Sequence, residues 1–149
     1  MKIALVTDTH FGARNDHDHF NNYFYEFYDN IFFPYLKEHN IDTCIHLGDV
    51  MDRRKFVSYK TAKDFREKFC ETFVTNDINV HMIVGNHDTY FKNTNEVNSL
   101  DELIGSRYEN IKIYRETETV DFDIPICFIP WINSTNEKQT VEHLSLIHI

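Results

Sequence analysis

A chain of 149 residues, 42% hydrophobic and 15% aromatic, has enough apolar surface for one domain with a real core, which excludes disorder. Its 24 acidic against 15 basic residues give a net charge of −9, so any binding of nucleic acid must be local. No apolar run approaches membrane-spanning length, and Thr7 and Asp8 break the first one too early for a signal peptide; a cytoplasmic protein without membrane contact is expected. Cys44, Cys70 and Cys127 lie far apart, the pattern of reduced core thiols rather than a disulfide frame or zinc knuckle. Without a secretory signal, the acceptor-like Asn133-Ser134-Thr135 carries no weight.

In chain order, Lys2 to Thr7 reads as a short buried strand, with Asp8-Thr9-His10 directly behind it. Gly12 to His19 is a polar loop dense in Asp and His. It is read as the entry to a helix, with Asp18 as the cap, in preference to a metal cluster. Phe20, Tyr23, Phe24, Phe27, Tyr28, Ile31, Phe32, Tyr35 and Leu36 recur at three-four spacing and predict one buried stripe. Pro34 lies off that stripe and is expected to kink or break the last turns. Thr43 to Leu47 forms a second strand, followed by Gly48-Asp49 and then Asp52.

A helix from Tyr59 to Val74 comes next, with Ala62, Phe65, Phe69 and Phe73 as its buried face. Between Arg53 and Lys68 seven basic residues face two acidic ones, a net of +5 that leaves −14 for the remainder. Arg53, Arg54 and Lys55, with Phe56 and Tyr59 interleaved, are candidate DNA contacts; a solvated helix face accounts for the same charges. The third strand, Val80 to Val84, stops at Gly85 and is followed by Asn86, His87 and Asp88. Asn98 to Ile104 predicts a short helix ended by Gly105. Ile111 to Tyr114, the alternating Val120, Phe122 and Ile124, and Ile126 to Ile129 predict a hairpin or meander that extends a mixed sheet. Trp131 is either a packing anchor or a contact surface.

Three apolar strands thus end in groups that bind metals. In open α/β sheets the loops at the carboxyl ends of parallel strands converge over one crevice, so Asp8, His10, Asp49, Asn86 and His87 can meet there. Carboxylate, imidazole and amide ligands without a thiolate suit Mn²⁺, Mg²⁺, Fe or Zn, and Asp49 has two oxygens with which to bridge two ions. No phosphate-binding glycine loop or nucleophile elbow is present, which points to a water activated by two metals for displacement at phosphorus. His87, beside Asn86 and oriented by Asp88, is expected to protonate the leaving group or to stabilise charge in the transition state; Asp88 and Asp52 are the carboxylates expected behind the ligands.

Asp8-Thr9-His10, Gly48-Asp49 and Gly85-Asn86-His87-Asp88, each after a strand, resemble the first three motifs of the calcineurin-like metallophosphoesterases. The extensions Asp8-Thr9-His10-Phe11-Gly12 and Gly48-Asp49-Val50-Met51-Asp52-Arg53 resemble the nuclease subunits of SbcCD-type recombination complexes, those of T-even bacteriophages especially. The resemblance runs from Met1 to about Trp131. It implies an α/β fold of mixed β-sheet layers flanked by helices, an α/β/β/α sandwich that this length leaves incomplete. It also implies two manganese ions (magnesium as the alternative) on Asp8, His10, Asp49 and Asn86, with His87 catalytic. Expected partners are DNA, an SbcC-type ATPase subunit and a second copy of the full-length protein, in the host cytoplasm if the gene is a phage's.

The family's later lone histidine and its Gly-His-x-His strand end have no counterpart; His143 and His148 stand in no such context. Residues 1–149 are therefore expected to be the amino-terminal portion of a nuclease domain. Residues 132–149, with the apolar Leu144 to Ile149, are expected to be a truncated or unnatural terminus. Such a chain should bind manganese weakly and have negligible activity of its own. Two other readings stand beside a DNA nuclease: a phosphatase or cyclic-nucleotide phosphodiesterase of the same superfamily, and a catalytically incomplete module that docks DNA or the ATPase.

Overall fold

The computed structural model describes residues 1–147. Four short strands rich in Val, Ile and Leu, β1 (Ala4–Val6), β2 (Thr43–His46), β3 (Asn79–Ile83) and β4 (Ile111–Tyr114), form one sheet in that order. All three pairings are parallel, and the register sets Val6 beside His46 and His46 beside Met82, so the first three carboxyl ends stop at one level. Parallel neighbours need crossovers, and helices supply them.

After β1 comes a single turn, α1 (Ala13–Asp16), with Arg14 and Asn15 left-handed, so the expected loop is in effect a loop. The first long helical segment is α2 (Asp18–Phe27), a π-helical stretch (Tyr28–Phe32) and α3 (Phe33–Glu38). Its cap position is occupied by His17, not Asp18; Asp18 is the first helical residue and pairs with Lys60 at 3.2 Å. The second segment is α4 (Tyr59–Phe65), another π-helical stretch (Arg66–Cys70) and α5 (Glu71–Thr75). The Ser58 hydroxyl caps α4 by accepting from the Thr61 amide. Beyond β3, α6 (Ser99–Leu103) is capped by Asn98 and stops before the left-handed Gly105, as the sequence predicted.

Both helical segments pack on one face of the sheet. Cys44, Val80 and Met82 look that way and meet Tyr28, Phe33, Phe65, Phe69 and Phe73 in the main core. Ile45 and Ile83 look the other way, against Tyr114 and Phe128. No cysteine is bonded to another; burial pushes the Cys44 thiol up to about 12 and that of Cys70 up as well.

The three late strands do not form one meander. β4 joins the main sheet in parallel, whereas β5 (Glu118–Asp121) and β6 (Pro125–Phe128) pair antiparallel as a separate two-stranded sheet over its second face. An alternating strand pattern says which side is apolar, not which neighbour it pairs with. The result is helices on one face and a second β-layer on the other, the α/β fold of mixed sheet layers that the sequence led us to expect.

The predicted stripe on the first helical segment is corrected. Of the stripe, Tyr28 and Leu36 are buried and Phe24 and Phe32 pack against the core, but Phe20, Tyr23, Phe27, Ile31 and Tyr35 are exposed, and Tyr25 and Phe33, outside it, are buried. The π-helical stretch inserts a wider turn, so the inward face runs from Tyr28 to Phe33, a step of five that a 3.6 period does not contain. That stretch also accommodates Pro34, whose ring would clash with the carbonyl of Asn30 in a regular helix.

The last described segment is α7 (Glu137–Ile147), which takes in Leu144 to Ile147. It lies beside the small sheet through Thr117–Thr140 and Thr119–His143 hydrogen bonds of 2.9 Å. His148 and Ile149 lie outside the described residues. No described helix is long and apolar enough to cross a membrane.

Candidate metal centre

At the carboxyl ends of β1 and β2 the backbone continues as a ladder beyond the strands. The Asp8, His10 and Phe11 amides donate to the carbonyls of Gly48, Asp49 and Val50 at 3.2, 3.1 and 2.8 Å. Asp8, His10 and Asp49 have φ of 53°, 42° and 54°, the left-handed region that Asp and His tolerate better than most residues. The turn at each residue swings its side chain over the end of the sheet. Held this way, one donor atom each from Asp8, His10 and Asp49 lies within 4.8 Å of the others.

The third strand end reaches the same place because two glycines touch. A Cβ on Gly48 would lie 2.8 Å from the Gly85 Cα, and one on Gly85 would collide with the Asp49 amide. Close passage brings the His87 amide onto Asp49 Oδ1 at 2.8 Å. It also brings the Asn86 amide to 3.0 and 3.2 Å from the two Asp49 oxygens. With its nitrogen inward, Asn86 donates to both; with its oxygen inward, it meets two acceptors, an arrangement that a cation between them would relieve.

His87 stands edge-on to His10, ring centroids 4.8 Å apart. Its Nδ1 is 2.6 Å from the Asp52 carbonyl, which can only accept, so Nδ1 carries a proton and Nε2 is the ring's free atom. Asp88, expected to orient His87, does not touch its ring. It is fully buried and accepts from the Met51 and Gly85 amides, both at 2.9 Å, tying the second loop to the third. Burial pushes its carboxyl up, and those two amides oppose the shift. Asp52 contributes its carbonyl to His87, and its Oδ1 lies 3.8 Å from His10 Nδ1.

The residues fit a divalent cation. His10 Nδ1 is buried without a hydrogen-bond partner. Among the described residues, no Lys or Arg pairs with the carboxylates of Asp8 or Asp49, although the two converge. Oxygen and imidazole donors of this kind suit a hard or borderline ion. A cleft of about 230 Å³ opens beside Asp8, Asp49 and Asn86, walled by Pro130 and Trp131. Trp131 is thus an anchor, through its amide to the Val84 carbonyl at 2.8 Å, as well as a wall.

The three basic candidates separate. Arg53 is committed to Asp16, which also holds the Ser58 and Thr61 hydroxyls; against the cost of burial, these partners keep the Asp16 carboxyl below its usual range. Arg54 lies over the Trp131 ring at 4.8 Å and donates to the Thr89 hydroxyl; Lys55 lies over Tyr90 at 5.4 Å. Neither has a carboxylate partner among the described residues. Lys60 and Lys63 pair along the helix with Asp64 and Glu67, the solvated-face reading.

Sequence reasoning missed Thr9 and His46, which join the first two loops from beneath: Thr9 Oγ1 is 3.0 Å from His46 Nε2. The available signal was a histidine inside an otherwise apolar strand, just before Gly-Asp. The Asp52 carbonyl left none, since every residue has a carbonyl.

Comparison with known proteins agrees with this geometry. Residues 1–144 match the model of the calcineurin-like phosphoesterase family. Over 145 residues, 97% of its length, the chain is 34% identical to exonuclease subunit 1 of Enterobacteria phage T4, and it covers 42% of that protein. With candidate metal donors gathered at the strand ends and a family match over residues 1–144, the chain belongs to the calcineurin-like phosphoesterases.

Proposed function

We propose that this chain carries the amino-terminal part of the active site of a DNA nuclease that works in recombination and repair with two divalent ions, manganese by preference and magnesium as the alternative. The observation that carries this reading is the place of Asp49: its carboxylate belongs to the Asp8–His10 cluster and also faces Asn86 and the His87 amide. Asp8, His10 and Asp49 would hold one ion, and Asp49 with Asn86 would contribute to the second. When bound, the ions supply activation of a water and neutralise charge on the phosphodiester. His87, fixed through Nδ1 on the Asp52 carbonyl, acts as the imidazolium: it gives its Nε2 proton to the leaving oxygen, keeps the Nδ1 proton on the carbonyl and is left as the neutral ring. Arg54 and Lys55 grip the DNA backbone, with Arg53 bracing their loop through Asp16.

In the full-length protein, an SbcC-type ATPase subunit and a second copy complete the assembly in the host cytoplasm. The exposed stripe of Phe20, Tyr23, Phe27, Ile31 and Tyr35 is the surface that suits the second copy. Alone, the 149 residues give the second ion only Asp49 and Asn86, so weak manganese binding and negligible turnover are expected.

The test compares two variants of the full-length protein on linear duplex DNA. Asp49→Ala should lose bound manganese and hydrolysis together. His87→Asn should keep the metal and lower turnover by about 10²–10⁴-fold, the usual range for a lost general acid. Manganese lost from His87→Asn would make His87 a ligand, and hydrolysis of small phosphate esters but not of DNA would point to another phosphoesterase.

A further inference from the structure

We propose that His46 is a positioning residue of the metal centre, locking the Asp8–His10 turn to the Gly48–Asp49 turn through one defined tautomer. The inference rests on the reading that Asp8, His10 and Asp49 hold a divalent ion. His46 ends β2 on the helix side of the sheet, 1% exposed, with its ring edge-on to Phe69 at 6.4 Å.

The polarity of its contacts follows from one fixed donor. The Gly48 amide is 3.2 Å from His46 Nδ1, and an amide can only donate, so Nδ1 accepts. A neutral ring then carries its hydrogen on Nε2 and donates it to Thr9 Oγ1 at 3.0 Å. Thr9, having accepted, passes its own hydrogen to the Val50 carbonyl at 3.2 Å. Each bond dictates the direction of the next. Charging the ring would put a hydrogen against the Gly48 amide, and burial accordingly pushes the ring down to about 3.

Location separates this chain of bonds from ordinary core packing. Thr9 stands between Asp8 and His10, and Gly48 directly precedes Asp49, so His46, through the Thr9 hydroxyl and the Gly48 amide, holds the neighbours of three candidate ligands at once. It touches none of the three, and acts only through the two turns. Asp88 does the same from the other side, between the second loop and the third. Outer partners of this kind set ligand geometry, and their removal typically costs about 10- to 100-fold in metal affinity.

The experiment titrates the full-length protein with Mn²⁺ by calorimetry. His46→Leu keeps the volume and removes both hydrogen bonds; His46→Gln offers an amide oxygen to Gly48 and an N–H to Thr9. Cys44→Ala, on the same strand and the same face, serves as a control for lost packing. His46→Leu should lose about 10- to 100-fold in affinity, His46→Gln should recover most of that loss, and Cys44→Ala should lose thermal stability without losing affinity. If His46→Leu does not fold, Thr9→Val cuts the chain at its next link and should show the same loss. Wild-type affinity in folded His46→Leu or Thr9→Val overturns the proposal, as does ¹⁵N evidence that the His46 proton sits on Nδ1. A wild-type protein that takes up no Mn²⁺ while its ring shows the Nε2–H tautomer overturns the metal-centre reading, and the positioning role with it.

Discussion

The two long helical segments lie on the same face of the sheet, yet they use their aromatic residues differently. α4 through α5 buries Phe65, Phe69 and Phe73 completely and turns Lys60, Lys63, Glu67 and Glu71 to solvent. α2 through α3 buries Tyr25, Tyr28, Phe33 and Leu36, but leaves Tyr23, Ile31 and Tyr35 more than half exposed. The lesson is that polar residues choose a helix's inward face. On the second segment charges occupy one side and leave the aromatics a single place to go. On the first, aromatics run around most of the circumference, and two stripes are apolar, of which only the exposed one, Phe20 to Tyr35, keeps strict three-four spacing. Shape complementarity and the π-helical turn select between them, and the stripe left over stays exposed.

The contrast breaks most directly in the core. Phe69 packs against Phe11, Tyr28, Phe33, Phe65 and Phe73, so Phe69→Ala should cost about 3–5 kcal/mol in urea denaturation. A loss below about 1 kcal/mol would mean that the second segment is no more buried than the first.

Whether the space beneath the second segment is dry can be read from pH. His46 titrates near 6.5 when exposed and about 3 when folded. Between those values the unfolded chain binds a proton that the native ring refuses, so stability falls as pH falls, by up to about 1.4 kcal/mol per unit for this group. Burial lowers His81 too, in the same sense. Urea midpoints at pH 7 and pH 5 should diverge less in His46→Gln than in the wild type; equal divergence would show the ring to be solvated.

The smallest effect on stability is expected on the outer stripe. Tyr23→Ala and Ile31→Ala should each stay within about 0.5 kcal/mol of the parent. Tyr23→Glu with Ile31→Glu should instead convert a dimer of the full-length protein into monomers in sedimentation runs. A dimer that persists places the contact between copies elsewhere.

How much was legible in the sequence follows the same division. The strand ends were readable because Asp8-Thr9-His10, Gly48-Asp49 and Gly85-Asn86-His87 each interrupt an apolar run abruptly, and a parallel sheet brings such interruptions together. The inward face of α4 was readable from its charges, and α6 from Asn98 and Gly105. The partner of β4 was not, since Ile111 to Tyr114 would alternate alike in either sheet. Nor was the role of Asp88, because its contacts run to the amides of Met51 and Gly85, and amides carry no mark of residue type. Thr9 and His46 meet only after folding closes a sequence separation of 37 residues.

The sheet's order also governs time. Each strand pairs with the one before it across a helical crossover, so every step of sheet growth closes a long loop. Asp8 and Asp49 first meet when β2 docks, and Asn86 and His87 arrive only with β3. Folding species that lack β3 offer a divalent ion an unfinished cage. Ions that favour the finished one should act mainly on escape from the native state, slowing unfolding while leaving the rate of folding almost untouched.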